Sequence, residues 1–112
     1  MTSIQTKLEA FGDALGSINS IDNVFHYWRF GVTPPYLIWQ EDSEIGLQAD
    51  LHKAEQGVSG AIEYFTKQEY DPRFDDIQNK LNSLENVYWY YDGSDFEDET
   101  SLIHHSWRWR LL

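Results

Sequence analysis

Clustered carboxylates are the first residues in this chain whose types could do chemistry. Asp92-Gly-Ser-Asp-Phe-Glu-Asp-Glu99 is rich in acidic side chains, and Ca²⁺ prefers several carboxylate oxygens as ligands. The segment does not fit an EF-hand loop, because its glycine is at the second position and the twelfth residue is Ile103 rather than glutamate. We therefore predict a mobile acidic loop over 92–100 that forms the tip of a hairpin and meets another subunit or a partner protein.

The four histidines do not form a metal-binding pattern. His104 and His105 are adjacent on a predicted strand, so their side chains point to opposite faces and cannot share a metal. We expect one of them to be exposed and the other packed. His26 and His52 stand alone in the sequence, and we interpret them as structural.

Catalytic motifs are also missing from the sequence. Glu41, Asp42 and Glu44 stand together in a predicted turn, and only a concave pocket with two carboxylates of raised pKa would make such acids catalytic. The chain has no phosphate-binding glycine loop, no Gly-x-Ser-x-Gly and no His-Glu-x-x-His. It has no cysteine, which excludes disulfides and thiolate metal sites. We predict a protein that is not an enzyme and has no catalytic residue, metal or cofactor.

Two arginines are the candidate binding residues of the last predicted strand. Arg108 and Arg110 alternate with Trp107 and Trp109, so the arginines share one face and the tryptophans share the buried face. They could pair with acids of the 92–99 segment of a neighbouring subunit, namely Asp95, Glu97 and Asp98. Equally, they could be solvated arginines that pair with acids of their own chain.

Composition limits the class of protein. The formal charge of −11 argues against direct, sequence-specific nucleic-acid binding, which depends on neutralising phosphates with Lys and Arg. Such a charge is explained by solubility alone. The negative charge could also keep DNA from sticking to a surface that DNA must pass. With 41% hydrophobic residues in 112 positions, we expect one domain, 1–112, with a true core. The absence of a long apolar run predicts no signal peptide and no contact with a membrane.

The elements that must position these residues follow from periodicity. An apolar stripe at helical spacing predicts a helix over 2–18, capped by Thr2 with Gln5 in a capping box, and glycines at 12 and 16 allow close contact. Asp71 as N-cap and Pro72 at the first position predict a second helix over 71–84. Strands are predicted over 24–30, 36–39, 58–67, 87–91 and 102–111, with a weaker candidate over 45–55 and a turn over 41–44.

These elements predict an α+β fold: a two-layer sandwich with a mostly antiparallel or mixed sheet of five to six strands and two main helices on one face. The strand over 58–67 is expected at the centre, with Ile62, Tyr64 and Thr66 on the helix side. The predicted core is Leu8, Phe11, Leu15, Ile62, Tyr64, Phe74, Ile77, Leu81 and Trp107.

Three stretches carry a resemblance to a known family. They are Phe30-Gly-Val-Thr-Pro-Pro-Tyr-Leu-Ile-Trp39, then Gln48-Ala-Asp50, then Ile62-Glu-Tyr-Phe-Thr-Lys67 leading into the second helix. In their order and spacing they resemble the small neck and tail-completion proteins of long-tailed bacteriophages and prophages, the tail terminator or minor capsid group. The Tyr64-Phe65 pair and the tryptophan-rich last strand depart from the pattern of that group.

The resemblance implies a structural virion assembly protein rather than an enzyme. It implies an α+β subunit that forms a homo-oligomeric ring, expected to be a hexamer, which caps the tail tube at the head-tail joint. The implied partners are tail-tube and head-connector proteins, and the implied location is the virion, after assembly in the bacterial cytoplasm. The alternative from the composition is a small acidic regulatory or inhibitor protein that binds a basic partner.

Overall fold

The computed structural model describes residues 3–29, 31–45 and 57–112. Two helices and five strands lie in this part of the chain, in the order α1 (Ile4–Gly16), β1 (Val24–His26), β2 (Tyr36–Ile45), β3 (Gly57–Thr66), α2 (Arg73–Asn82), β4 (Val87–Glu97) and β5 (Leu102–Leu111). The strands form one sheet in the order β1-β2-β3-β5-β4.

The sheet is mixed, and β3 is its central strand. It pairs antiparallel with β2 on one side and with β5 on the other, while β4 forms an antiparallel hairpin with β5. Of the described strands, only β1 runs parallel to its neighbour, β2, because the chain returns to the start of β2 over a longer connection instead of a tight turn. The predicted α+β sandwich, with one mixed sheet and two helices on one face, is confirmed.

The core lies between the helices and one face of the sheet. Along β3 every second residue is buried, which places Ile62, Tyr64 and Thr66 under the helices as predicted. The fully buried cluster contains the predicted residues Phe11, Leu15, Ile62, Tyr64, Ile77, Leu81 and Trp107. Leu8 and Phe74 are partly buried and pack against this cluster, so the predicted core is confirmed.

Two glycines allow aromatic rings to approach the backbone. A Cβ on Gly60 would overlap the backbone carbonyl of Gln40 and lie 2.5 Å from Cζ2 of Trp109. A Cβ on Gly12 would lie 2.5 Å from Cζ2 of Trp39. Both distances are too short for an alanine, so glycine lets β3 and α1 pack directly against tryptophans of the core.

Helix capping differs from the prediction for α1, and at α2 the cap position is Pro72, one residue after the predicted Asp71, although Asp71 supplies the capping hydrogen bond. The side chain of Ser3, rather than Thr2, caps α1 by accepting a hydrogen bond from the backbone N–H of Thr6 at 3.1 Å. Thr2 lies outside the described residues. At α2, Asp71 Oδ1 accepts a hydrogen bond from the backbone N–H of Arg73 at 2.9 Å, as an N-cap aspartate does.

Two predicted loops are strands, and the prediction was wrong at both. The turn predicted over 41–44 is the second half of β2, which continues past a bulge between Glu41 and Ser43. The segment predicted as a loop over 92–100 does lie at the tip of a hairpin, as predicted, but it is β4 as far as Glu97, with a bulge between Tyr91 and Gly93, and the turn covers only 98–101. In each case a neighbouring strand supplies hydrogen-bond partners, so pairing overrides the low strand propensity of acidic residues. The candidate strand over 45–55 lies almost wholly outside the described residues.

Candidate functional surfaces

The sheet has one face that no described helix covers, and the predicted binding residues lie on it. Trp107 and Trp109 are fully buried under the helices, so Arg108 and Arg110 point to the opposite face. Register places Tyr90 beside Arg108 and Tyr88 beside Arg110. Both tyrosines are more than half exposed, at 60% and 58%. The result is a patch of two tyrosines and two arginines at one end of the open face, called the Tyr–Arg patch below.

Arg108 is already paired within its own chain. Its guanidinium donates two hydrogen bonds to the Asp42 carboxylate, at 2.7 and 2.9 Å. The hydrogen bonds from Arg108 hold the pKa of Asp42 below its usual value, even though partial burial opposes ionisation. Of the two alternatives predicted for these arginines, Arg108 follows the second, because it pairs with an acid of its own chain. The Arg110 side chain, in contrast, is exposed and forms no hydrogen bond or ion pair with another described residue.

The predicted acidic contacts lie at the other end of the same face. Asp95 and Glu97 stand opposite His104 and Leu102 in the β4–β5 hairpin, and Asp98 begins its turn. All three acids are exposed. Glu97 is paired with Leu102, eight positions along β5 from Arg110, which corresponds to about 26 Å at about 3.3 Å per residue. The fold therefore separates the predicted acids from Arg110 and does not bring the predicted site residues together within one chain.

A cluster of aromatic rings lies on the open face near the hairpin-tip end, where β2 begins and β3 ends. Tyr36 is buried, with 3% exposure. Its ring stacks on Phe65, with 4.8 Å between the ring centroids, and the Arg29 guanidinium lies 5.2 Å from the centroid of the Tyr36 ring. His104 lies 4.2 Å from Phe65, with its Nε2 3.3 Å from Glu63. His105 lies on the helix side. Both histidines are partly buried, so the prediction of one exposed and one packed was wrong.

A cleft of about 630 Å³ lies between α1 and the β1–β2 edge of the sheet. On its wall the His26 ring stacks on Trp39 at 3.9 Å, and His26 Nε2 lies 2.6 Å from Glu41 Oε1. Burial opposes ionisation of Glu41, but hydrogen bonds from His26 and from the Glu41 backbone lower its pKa overall. Glu41 and Asp42 thus have lowered pKa values, the reverse of what a catalytic acid pair needs. Sequence reasoning missed the His26–Glu41 pair because a lone histidine carries no sign of its partner.

A second cleft, of about 620 Å³, lies where the β4–β5 hairpin extends beyond α2. Its floor and walls are Phe74, Tyr91, Ile103 and His105, and Tyr70 stands at its mouth. The Tyr91 hydroxyl and His105 Nδ1 are 2.9 Å apart. The sequence contained no signal for this cleft, since its residues come from β4, β5, α2 and the β3–α2 connection. We refer to it as the aromatic cleft.

A buried carboxylate holds the back of the aromatic cleft in place. Asp71 Oδ2 accepts hydrogen bonds from the hydroxyls of Tyr64 at 2.6 Å and Thr66 at 2.7 Å, and Arg73 Nη1 lies 3.1 Å from Oδ1. Burial opposes ionisation, but the hydrogen bonds from Tyr64, the Arg73 backbone and Thr66 lower the pKa of Asp71 overall. The carboxylate is therefore ionised at neutral pH and ties the end of β3 to the start of α2.

No protein-family model matches the chain, and no curated protein matches it. Within the described ranges, no three histidine or acidic side chains are grouped so that they could hold a metal ion. The described helices are too short and too polar to cross a membrane.

Proposed function

We propose that this protein is a structural subunit of a long-tailed bacteriophage or prophage particle, and that it assembles head to tail into a ring that completes the tail tube. The observation that carries the proposal is the placement of unlike charges at opposite ends of one open sheet face. Arg110 and its tyrosines lie at one end, and the acidic hairpin tip lies at the other. The resemblance of the stretches 30–39, 48–50 and 62–67 to motifs of tail-completion proteins supports the same function.

A head-to-tail contact joins two different patches, and copies related by a rotation that closes form a ring. The exposed acids of one hairpin tip cannot reach Arg110 of their own chain, because about 26 Å of strand separates them. Another copy can bring its tip to that arginine. Tyr88 and Tyr90 add exposed aromatic area beside it, and tyrosine and arginine are enriched where binding energy is concentrated at protein interfaces.

The distribution of carboxylates favours this function over an acidic inhibitor. A protein that imitates nucleic acid needs its carboxylates on one continuous face. Here exposed or partly exposed acids lie on both layers: Glu9 and Asp13 on α1, Asp75 on α2, and Asp95 and Glu97 on the open face of the sheet. A ring that caps the tail tube at the head-tail joint, expected to be a hexamer, would contact tail-tube and head-connector proteins in the virion.

The test is to add the protein to growing tail tubes of its own phage and to image them by electron microscopy. Capped tubes of uniform length are expected with the unaltered protein. Arg110→Glu should abolish capping, because it places like charge against the neighbouring acidic tip, and the second change Glu97→Arg in the same chain should restore it. Lys80→Glu, the same charge reversal on α2, is the matched control and should cap normally.

Two failures of this experiment have different meanings. Tubes that ignore the unaltered protein would refute the proposed function. Capping by the unaltered protein that is insensitive to Arg110→Glu would leave the function standing and refute the Tyr–Arg patch as the contact.

A further inference from the structure

The aromatic cleft has the size and lining of a binding site. Its volume of about 620 Å³ falls within the range of roughly 300–1,000 Å³ that is typical of ligand pockets. Phe74 packs edge-on against Tyr91 and His105, with ring centroids 5.1 and 4.9 Å apart. These rings form an aromatic wall, and Ile103 adds aliphatic surface.

Tyr70 at the mouth of the cleft has no structural role in the free subunit. It is 90% exposed, so its large ring gains almost no packing. Its backbone also has a φ of 56°, in the left-handed region that bulky residues rarely adopt. This large ring therefore stands exposed at the cleft, where it is free to contact a ligand.

The rim of the cleft is negatively charged. Glu69 and Asp75 line it and are both exposed, and within the described part of the chain neither forms an ion pair. Asp71 also lines the cleft, but its carboxylate is shielded from solvent and paired with Arg73. Burial lowers the pKa of His105 below its usual value, so this histidine places no positive charge in the cleft at neutral pH.

We propose that the aromatic cleft binds a segment of a partner protein that presents an arginine next to an aromatic or aliphatic side chain. The arginine would stack on Tyr70 and pair with Glu69 and Asp75, while the apolar neighbour would fill the space over Phe74, Tyr91 and Ile103. Arginine fits better than lysine, because its planar, weakly hydrated guanidinium stacks on aromatic rings. The same chemistry occurs within this chain, where Arg29 lies over the ring of Tyr36. This site lies on the helix side of the hairpin and does not depend on the ring contact proposed above.

The test is an NMR titration of the whole protein with the dipeptide N-acetyl-phenylalanyl-arginine amide. Shifts are expected at the Ile103 methyl groups and at the backbone amides of 69–75, with weak binding that weakens further as salt is added. The uncharged, nearly isosteric citrulline dipeptide should bind about 5- to 10-fold less tightly, equivalent to about 1–1.4 kcal/mol. Equal binding of the two dipeptides, or shifts that map elsewhere, would overturn the proposal.

Variants separate binding from folding. Tyr70→Ala should weaken binding of the arginine dipeptide at least about 5-fold without lowering the melting temperature, because the ring packs against nothing in the free protein. The double change Glu69→Gln with Asp75→Asn should remove the salt dependence. Glu85→Gln, which removes one exposed acid outside the cleft, is the matched control and should bind like the unaltered protein. Unchanged affinity in the Tyr70 and double variants would contradict the site.

Discussion

The buried carboxylate of Asp71 supports the sharpest stability prediction. Its side chain is completely shielded from solvent and accepts hydrogen bonds from two hydroxyls, a backbone amide and a guanidinium. Hydrogen bonds to a charged group contribute about 1.5–3 kcal/mol each, and they do not add when they share one acceptor. Asp71→Asn keeps the shape and one acceptor oxygen but loses the charge that faces Arg73. We expect the free energy of unfolding to fall by about 2–4 kcal/mol.

Urea denaturation followed by tryptophan fluorescence measures this change. With a denaturant slope of about 1.5 kcal/mol per molar, a loss of 3 kcal/mol moves the midpoint by about 2 M. Asp75→Asn, a change in an exposed acid in the first turn of the same helix, is the control and should cost no more than about 1 kcal/mol.

The pH dependence of the same variant gives a second check with a definite sign. The pKa of Asp71 lies below its ordinary value of 3.8 in the folded protein, so its stabilisation is present above that value. This stabilisation is lost as the pH falls through the lower folded pKa. The gap in stability between the unaltered protein and Asp71→Asn should therefore shrink on acidification below pH about 4. A loss under about 0.5 kcal/mol at pH 7, or a gap that stays constant into acid, would refute the assigned role of this carboxylate.

Three further predictions follow from the packing. Phe74→Ala should lower the free energy of unfolding, measured by urea denaturation, by about 3 kcal/mol. This is the low end of the range of about 3–5 kcal/mol for a phenylalanine, because Phe74 is only partly buried. A loss below about 1 kcal/mol would contradict its packing against the core. Gly12→Ala should lower the melting temperature, because the added methyl group would meet Trp39. Gly16 has open space around it, so Gly16→Ala should leave the melting temperature unchanged or raise it. Equal effects of the two variants would disprove the close contact at Gly12. Stability should also fall as the pH rises above about 10. Burial and the hydrogen bond to Asp71 raise the pKa of Tyr64 above its ordinary 10.0 in the folded protein, whereas the tyrosine of the unfolded chain ionises normally. A Tyr64→Phe variant whose stability falls with the same alkaline slope would rule this out.

Periodicity in the sequence was sufficient to predict the layers and the core. Apolar residues at helical spacing on α1 and α2, and alternation along β3 and β5, identified the faces that are buried. Propensity failed at 41–44 and 92–97, where acidic residues suggested a turn and a loop but the chain continues as strand. Strand pairing there depends on partners far away in sequence, and local composition carries no information about them.

The sequence by itself determined the fold class, the central strand and the position of Arg108 and Arg110 opposite the buried tryptophans, because a period of two or of about 3.6 residues assigns each side chain to a face. Only the tertiary structure decided which charges meet. It paired Arg108 with Asp42, 66 positions away, and left Arg110 about 26 Å from the acidic hairpin tip. It also assembled the aromatic cleft from four separate elements. Distances between side chains from different elements depend on register and crossing, and those are properties of the folded chain.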